Sequence, residues 1–346
     1  MVAALVQEID LQRHYLVNEP VHTIYLGGGT PSLLNVEEIE MLLQTIHTHY
    51  IVDADAEITL EANPDDVTPE KLNAWKNIGI NRLSIGIQSF FEEELTWMNR
   101  AHTTGQAHQC IEWSLAAGFN NITIDLIYGS PLLTDEMWLR NVQQAITYGI
   151  PHLSCYALTV EERTPLHQHI DRKKKANVNP DKQGHQFLLL MKWLKAAGYE
   201  HYEVSNFARP GFRSRHNSAY WKGEPYLGIG PSAHSFNGKE RQWNIANNQQ
   251  YIHSLLQQVV PFEKELLSRT DQLNEFVMIS LRTAEGINLN LLEHNWGSEE
   301  KDRVIKETTH FINNGVMIHE EEHLKLTESG MPLADGIASQ LFRLDA

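Results

Sequence analysis

The sequence predicts an α/β protein: a partial parallel β/α barrel lacking its first strand, followed by an acidic winged-helix-like module. Three observations lead there. A short apolar run at 23–26 feeds into Gly27, Gly28, Gly29, Thr30, Pro31 and Ser32, then into a helical pattern carrying Ile39, Leu42, Leu43 and Ile46. Strand-like segments then recur at 57–64, 82–89, 121–129 and 152–157, separated by helical patterns at roughly the 25–35-residue spacing of β/α units. Within three of them, Ile58, Leu60, Leu83, Ile85, Ile87, Ile122, Ile124 and Leu126 alternate with Thr59, Glu61, Ser84, Gly86, Gln88, Thr123 and Asp125. Strand side chains alternate between faces. A barrel buries the apolar face beneath its helices, so the polar face becomes the interior. An interior this small and polar suits a bound molecule better than a packed aliphatic core.

The elements follow in order. Residues 1–17 read as an amphipathic helix with Leu5, Ile9 and Leu11 on one side. A barrel normally begins with a strand, so a strand and its loop are expected upstream of Met1. Helices are expected near 36–50, 69–78, 91–98, 104–117 and 135–148, several stopped by glycine (Gly79, Gly118, Gly149). Residues 159–180 are polar, and Arg172, Lys173, Lys174 and Lys175 read as a solvated linker. A helix at 181–197 leads to a strand at 199–208, then to a loop ending in His216, Asn217, Ser218, Ala219, Tyr220 and Trp221. Residues 228–235 form a second glycine turn. Helices at 271–283, 288–295 and 298–314, a β pair at 316–318 and 324–326, and a last helix from Pro332 complete a winged-helix pattern. Three domains result: 1–160, the partial barrel; 161–262, a mixed extension; and 263–346, the helical module.

Composition narrows the function. The formal charge of −16 disfavours nucleic acid and anionic membranes as partners. Residues 271–346 carry 14 acidic against 6 Lys and Arg residues, so the winged-helix shape does not imply DNA binding. No apolar run approaches a membrane span, and the start has no basic signal region. Two cysteines, Cys110 and Cys155, form neither a disulfide framework nor a CxxC site, and the default location is cytoplasmic. Both cysteines read as core residues.

The Gly27–Ser32 turn, Glu61-Ala62-Asn63-Pro64, Gly86 to Phe90, Asn99-Arg100, Asp125 to Gly129 and Tyr156-Ala157-Leu158 resemble, in order, the motifs of radical S-adenosylmethionine enzymes related to oxygen-independent coproporphyrinogen III oxidase. The 216–221 and 228–235 stretches are similar to that family's haem-chaperone branch. The resemblance implies a radical SAM-type barrel. It also implies a CxxxCxxC loop holding a [4Fe–4S] cluster, and this chain has no such loop, so no residue here is a cluster ligand. A shortened chain is the expected explanation. The exposed barrel edge left by the missing strand favours association and allows a homodimer.

By that resemblance, S-adenosylmethionine would contact Gly28, Gly29, Thr30, Glu61, Gln88, Arg100, Asp125 and Ala157. Glycine backbone suits its amino-acid end, Arg100 its carboxylate, and Glu61, Gln88 and Asp125 its hydroxyl or amine donors. Rim salt bridges between Arg100 and Glu61 or Asp125 are the plain structural alternative. His216 would be the haem ligand, with Tyr220 and Trp221 packing on the porphyrin. The alternative is a surface histidine beside an aromatic loop anchor. His216 lies outside the barrel strands, so haem binding should not need the cluster loop and should weaken below about pH 6.

Three functions follow. One is a haem-binding chaperone that delivers haem to apo-haemoproteins. Another is a coproporphyrinogen III oxidase-like radical enzyme of porphyrin biosynthesis. The weakest is a β/α-barrel lyase or aldolase, because no lysine or histidine stands among the strand-end residues. Whether the chain is an enzyme stays open at this point, since the cluster cysteines are absent from it.

Overall fold

A computed structural model describes residues 1–16, 19–161, 165–172 and 175–344. Five parallel strands lie side by side in chain order: β1 (Val21–Leu26), β2 (Val52–Ala62), β3 (Arg82–Gln88), β4 (Ile122–Tyr128) and β5 (His152–Ala157). An antiparallel hairpin, β6 (Glu200–Glu203) and β7 (Asn206–Ala208), extends the sheet beyond β5 in the order β5-β7-β6. The result is a seven-stranded half-barrel. Among the described residues no strand pairs with the far side of β1.

The apolar face lies under the helices as its alternation requires. Leu60, Leu83, Ile85, Ile87, Ile122, Ile124 and Leu126 are fully buried, with Leu72, Trp75, Ile111, Trp138 and Val142 from the helices. The helices start where side chains can cap them. Asn35 and Thr103 form capping boxes with Glu38 and Gln106, and Thr68 and Thr134 cap two more helices.

Some expectations need correction. The first helix is Val2–Leu11 and stops short of 17. Arg13 folds back onto the carbonyl and carboxylate of Asp10, closing the helix end; Val17 lies outside the described residues. The strand expected at 199–208 is a hairpin instead. Its turn is pinned from outside: Val204 N donates to the Arg282 carbonyl at 2.9 Å, and the Ser205 carbonyl accepts from Cys155 N at 2.8 Å. In the basic run, Lys173 and Lys174 lie outside the described residues. Lys175 is docked rather than solvated, donating to the Trp97 carbonyl with its ammonium 4.9 Å from the Trp97 ring centroid.

The 216–221 segment, read as loop, is the short helix Arg215–Trp221, capped by Ser214. An antiparallel sheet of His234–Phe236, Glu240–Asn244 and Phe262–Leu266, with the helix Asn248–Leu256, had no counterpart in the sequence reading. Fully buried Glu8 ties the first helix to this region, accepting from Asn244 Nδ2 at 2.6 Å, Gly230 N at 2.8 Å and the Tyr251 hydroxyl.

The C-terminal module has helices Arg269–Leu281, Leu289–Trp296 and Ser298–Asn313. Strands Ile287–Asn288, Met317–Glu320 and His323–Leu326 form its wing, and Ala334–Gln340 is the last helix. Among the described residues no helix is long and apolar enough to cross a membrane.

Candidate functional site

Strand register puts the polar side chains on one concave face. Tyr25 pairs with Thr59, Glu61 with Ser84, Ser84 with Thr123, and Asp125 with Ser154. At the upper end, the glycine turn folds onto Glu61. Gly28, at φ 74°, donates its N–H to Glu61 Oε2 at 3.2 Å, and the Tyr25 hydroxyl donates to Oε1 at 2.7 Å. A Cβ on Gly27 would lie 2.5 Å from the Tyr25 ring and 2.7 Å from the Glu61 carboxyl carbon. No larger residue can stand there without displacing one of them.

Gln88 ends β3 at φ 64° beside a register shift, and its amide lies over Gly86. A Cβ on Gly86 would sit 2.9 Å from Gln88 Nε2 and 3.4 Å from Arg100 Nη2. Arg100 donates to Asn63 Oδ1 at 3.0 Å, and its buried Nε has no partner among the described residues. Asp125 is half-buried on β4, with no cation at ion-pair distance among the described residues. Burial first, then the charge of Glu61, push its pKa up to about 7; Ser154, Arg82 and Arg100 act in the opposite direction. The alternative of rim salt bridges from Arg100 to Glu61 or Asp125 is not seen among the described residues, where Arg100 bonds Asn63. Gly28 thus neighbours Glu61, Gln88 neighbours Arg100 over Gly86, and Asp125 feels the charge of Glu61. Ala157 ends β5 opposite Tyr128. Gly29 and Thr30 continue the glycine turn without bonding to the other candidates.

Deeper in the half-barrel is a polar layer that the sequence reading did not assign. Arg82, only 2% exposed, sits 3.7 Å from Glu57 and donates to Thr123 Oγ1. His152 links Thr123 at 3.0 Å to the Tyr202 hydroxyl at 2.8 Å. Continuing the period-two pattern one step back along β2, β3 and β5 would have found Glu57, Arg82 and His152.

This layer holds His216. Glu57 accepts from His216 N at 3.0 Å, Arg215 N at 3.2 Å and Ser214 Oγ at 3.4 Å, anchoring the first turn of the helix Arg215–Trp221. The His216 ring stacks on Tyr25 at 4.7 Å, its Nδ1 is 2.9 Å from Thr23 Oγ1, and Tyr220 meets it edge-on at 5.0 Å. His216 lies outside the barrel strands, on the helix Arg215–Trp221, and packs against β1. One residue, Tyr25, touches both His216 and Glu61. Burial, then Arg82, lower the His216 pKa to about 4. The acid weakening expected below about pH 6 is displaced downward accordingly. Trp221 lies apart from His216, with the Arg282 guanidinium 5.8 Å from its ring centroid.

The cysteines are core residues. Both are buried, and burial raises both thiols, Cys110 to about 12. Among the described residues no group of three His, Cys, Asp or Glu side chains is placed to hold a metal ion. A [4Fe–4S] cluster on three thiolates does not fit these residues. S-adenosylmethionine suits the donor set better: among the described residues Arg100 Nε lacks a partner, and Glu61, Gln88 and Asp125 stand near the ends of neighbouring strands.

A strand-end site on a half-barrel with a winged C-terminal module defines a radical SAM-type protein. The radical SAM superfamily matches residues 4–145, and the HemN C-terminal domain matches residues 267–333. The solved structure of Escherichia coli coproporphyrinogen III oxidase, HemN, is similar at TM-score 0.84 and 25% identity, covering 98% of this chain and 82% of that one. The chain is 35% identical to the heme chaperone HemW of Mycobacterium tuberculosis, over 98% of this chain and 85% of the relative. It is 33% identical to that of Lactococcus lactis, over 94% and 86%. The chain belongs to the HemW family of radical SAM proteins.

Proposed function

We propose that this chain is a haem-binding chaperone that delivers haem to apo-haemoproteins, working in the cytoplasm without a nucleic-acid partner. Its relatives are named as heme chaperones, and His216 is the observation that carries the reading. Iron ligation needs a neutral imidazole nitrogen with a free lone pair. The depressed pKa keeps His216 neutral at pH 7. In the tautomer that donates Nδ1–H to Thr23 Oγ1, 2.9 Å away, Nε2 keeps its lone pair for iron. Metal-binding histidines are commonly fixed this way through their second nitrogen. Tyr220 and Trp221, on the same short helix, supply flat apolar surface.

S-adenosylmethionine is assigned to Gly28, Gly29, Thr30, Glu61, Gln88, Arg100, Asp125 and Ala157. Arg100 would take its carboxylate, and Glu61, Gln88 and Asp125 its donor groups. When a cluster is present, family chemistry generates a radical from this cofactor. No such step is derived for the residues of this chain.

Soret titration with haem tests the proposal. His216→Ala should shift the Soret band and weaken binding. Tyr220→Ala and Trp221→Ala should weaken it by roughly 1–3 kcal/mol each, and Gln88→Ala should leave it unchanged. Identical titrations for parent and His216→Ala would sink the haem assignment. The likeness to HemN favours one second reading, oxidative decarboxylation of coproporphyrinogen III; turnover of that substrate by the chain would support it.

A further inference from the structure

Beside the helix Arg215–Trp221 is an open cleft lined by Tyr156, Asn206, Asn217, Tyr220, Trp221 and Arg282, with the buried carboxylate of Glu203 in its floor. Three separate parts of the chain build it. Tyr156 comes from β5, Glu203 and Asn206 from the β6–β7 hairpin, and Arg282 from the end of the helix Arg269–Leu281. Tyr156 and Tyr220 are exposed, and Tyr220 also touches His216.

Two features of this cleft are unusual. Arg282 grips a carboxylate of the chain itself: Nε is 2.8 Å from Asp335 Oδ1 and Nη2 is 2.9 Å from Oδ2. This is the two-pronged geometry with which a guanidinium recognises a carboxylate. Asp335 is 70% exposed, so the pair is open to exchange from solvent, and exposed pairs hold weakly. In the floor, Asn206 is 4% exposed and its Oδ1 has no partner among the described residues, while its Nδ2 is committed to Glu203.

We propose that this cleft seats the tetrapyrrole and that Arg282 receives one of its ring carboxylates, displacing Asp335, which holds the guanidinium in the ligand-free protein. The inference rests on the haem reading above and adds a site to it. Three aromatic side chains and an amide floor suit a flat, largely apolar ligand. The guanidinium over Trp221 suits a carboxylate carried at that ligand's edge, and Asp335 already occupies the position such a group would take. The exchange replaces one carboxylate by another, so the guanidinium stays paired throughout and Asp335 passes to water. Glu203 stays tied to Asn206 in the floor, where burial raises its pKa and Arg282 lowers it. The exchange also frees the helix Ala334–Gln340 from its contact with Arg282, so ligand occupancy loosens one contact within the C-terminal module.

Titrating the full chain with haem and with haem dimethyl ester, whose propionates are blocked, tests this. Arg282→Gln should weaken haem binding roughly tenfold and leave the ester unaffected. Asp335→Asn, a change at an exposed side chain that leaves folding intact, should tighten haem binding roughly threefold or more and also leave the ester unaffected. Arg282→Lys should fall between Arg282→Gln and the parent. Haem affinity unchanged in Arg282→Gln, ester affinity falling as far as haem affinity, or haem affinity unchanged or weaker in Asp335→Asn would each overturn the inference. His216→Ala separates the two failures. If it abolishes the parent's Soret shift while Arg282→Gln has no effect, only this site is wrong. If it too has no effect, the haem reading itself falls.

Discussion

Asp125 stands where a carboxylate is poorly stabilised, half-buried near Glu61 with no cation at ion-pair distance among the described residues. Its pKa rises to about 7, against about 4 in the unfolded chain. Between those values the folded protein binds more protons than the unfolded one. The stability this group allows is therefore present below about pH 4 and is lost as pH rises through 7. In urea denaturation, Asp125→Asn should gain on the parent between pH 5 and pH 8. A stability difference that does not change with pH would show that Asp125 is ionised in the folded state throughout. Asp125 itself was legible in the sequence as the polar position near the end of an alternating strand. Its missing counterion was not, because Arg82 and Arg100 lie on the same face and yet bond elsewhere, to Thr123 and Asn63.

At the scale of elements, the helix Arg215–Trp221 depends on a partner distant in sequence. Glu57 caps its first turn and also pairs with Arg82 deep in the half-barrel. Glu57→Ala would leave Arg82 buried without a counter-charge, a change that typically costs about 3–5 kcal/mol. Chemical denaturation should register that loss, and the double variant Glu57→Ala/Arg82→Met should recover most of it. If the double variant is no more stable than the single, the pair is not what sets the cost. Four of the main barrel helices were readable because each has a local apolar period and a capping residue: Asn35, Thr68, Thr103 or Thr134. The seven-residue helix at 215–221 is too short to show a period, and none of its residues is fully buried. The strands Glu240–Asn244 and Phe262–Leu266 escaped notice for a similar reason: Phe262–Leu266 is exposed along its whole length and carries no inward apolar alternation.

For the molecule as a whole, the chain as it stands is expected to bind S-adenosylmethionine weakly and to form no 5′-deoxyadenosine. The electron for that cleavage comes from a cluster, and the sequence holds only two cysteines, both buried in the core. Incubation with S-adenosylmethionine and a strong reductant, followed by product analysis, checks this; 5′-deoxyadenosine from this chain would refute it. The half-barrel, its polar interior and the candidate cofactor face were determined by the sequence alone. Strand alternation and glycine turns are set by neighbouring residues, and a period of two assigns every side chain of a strand to a face. Only the tertiary structure decided that His216 lies on Tyr25 and Thr23, that Tyr25 reaches Glu61, and that Arg282 closes a cleft with Trp221. These contacts join residues tens to hundreds of positions apart. They are selected by how whole elements pack, and no local pattern of residues encodes which distant side chain will fill a given space.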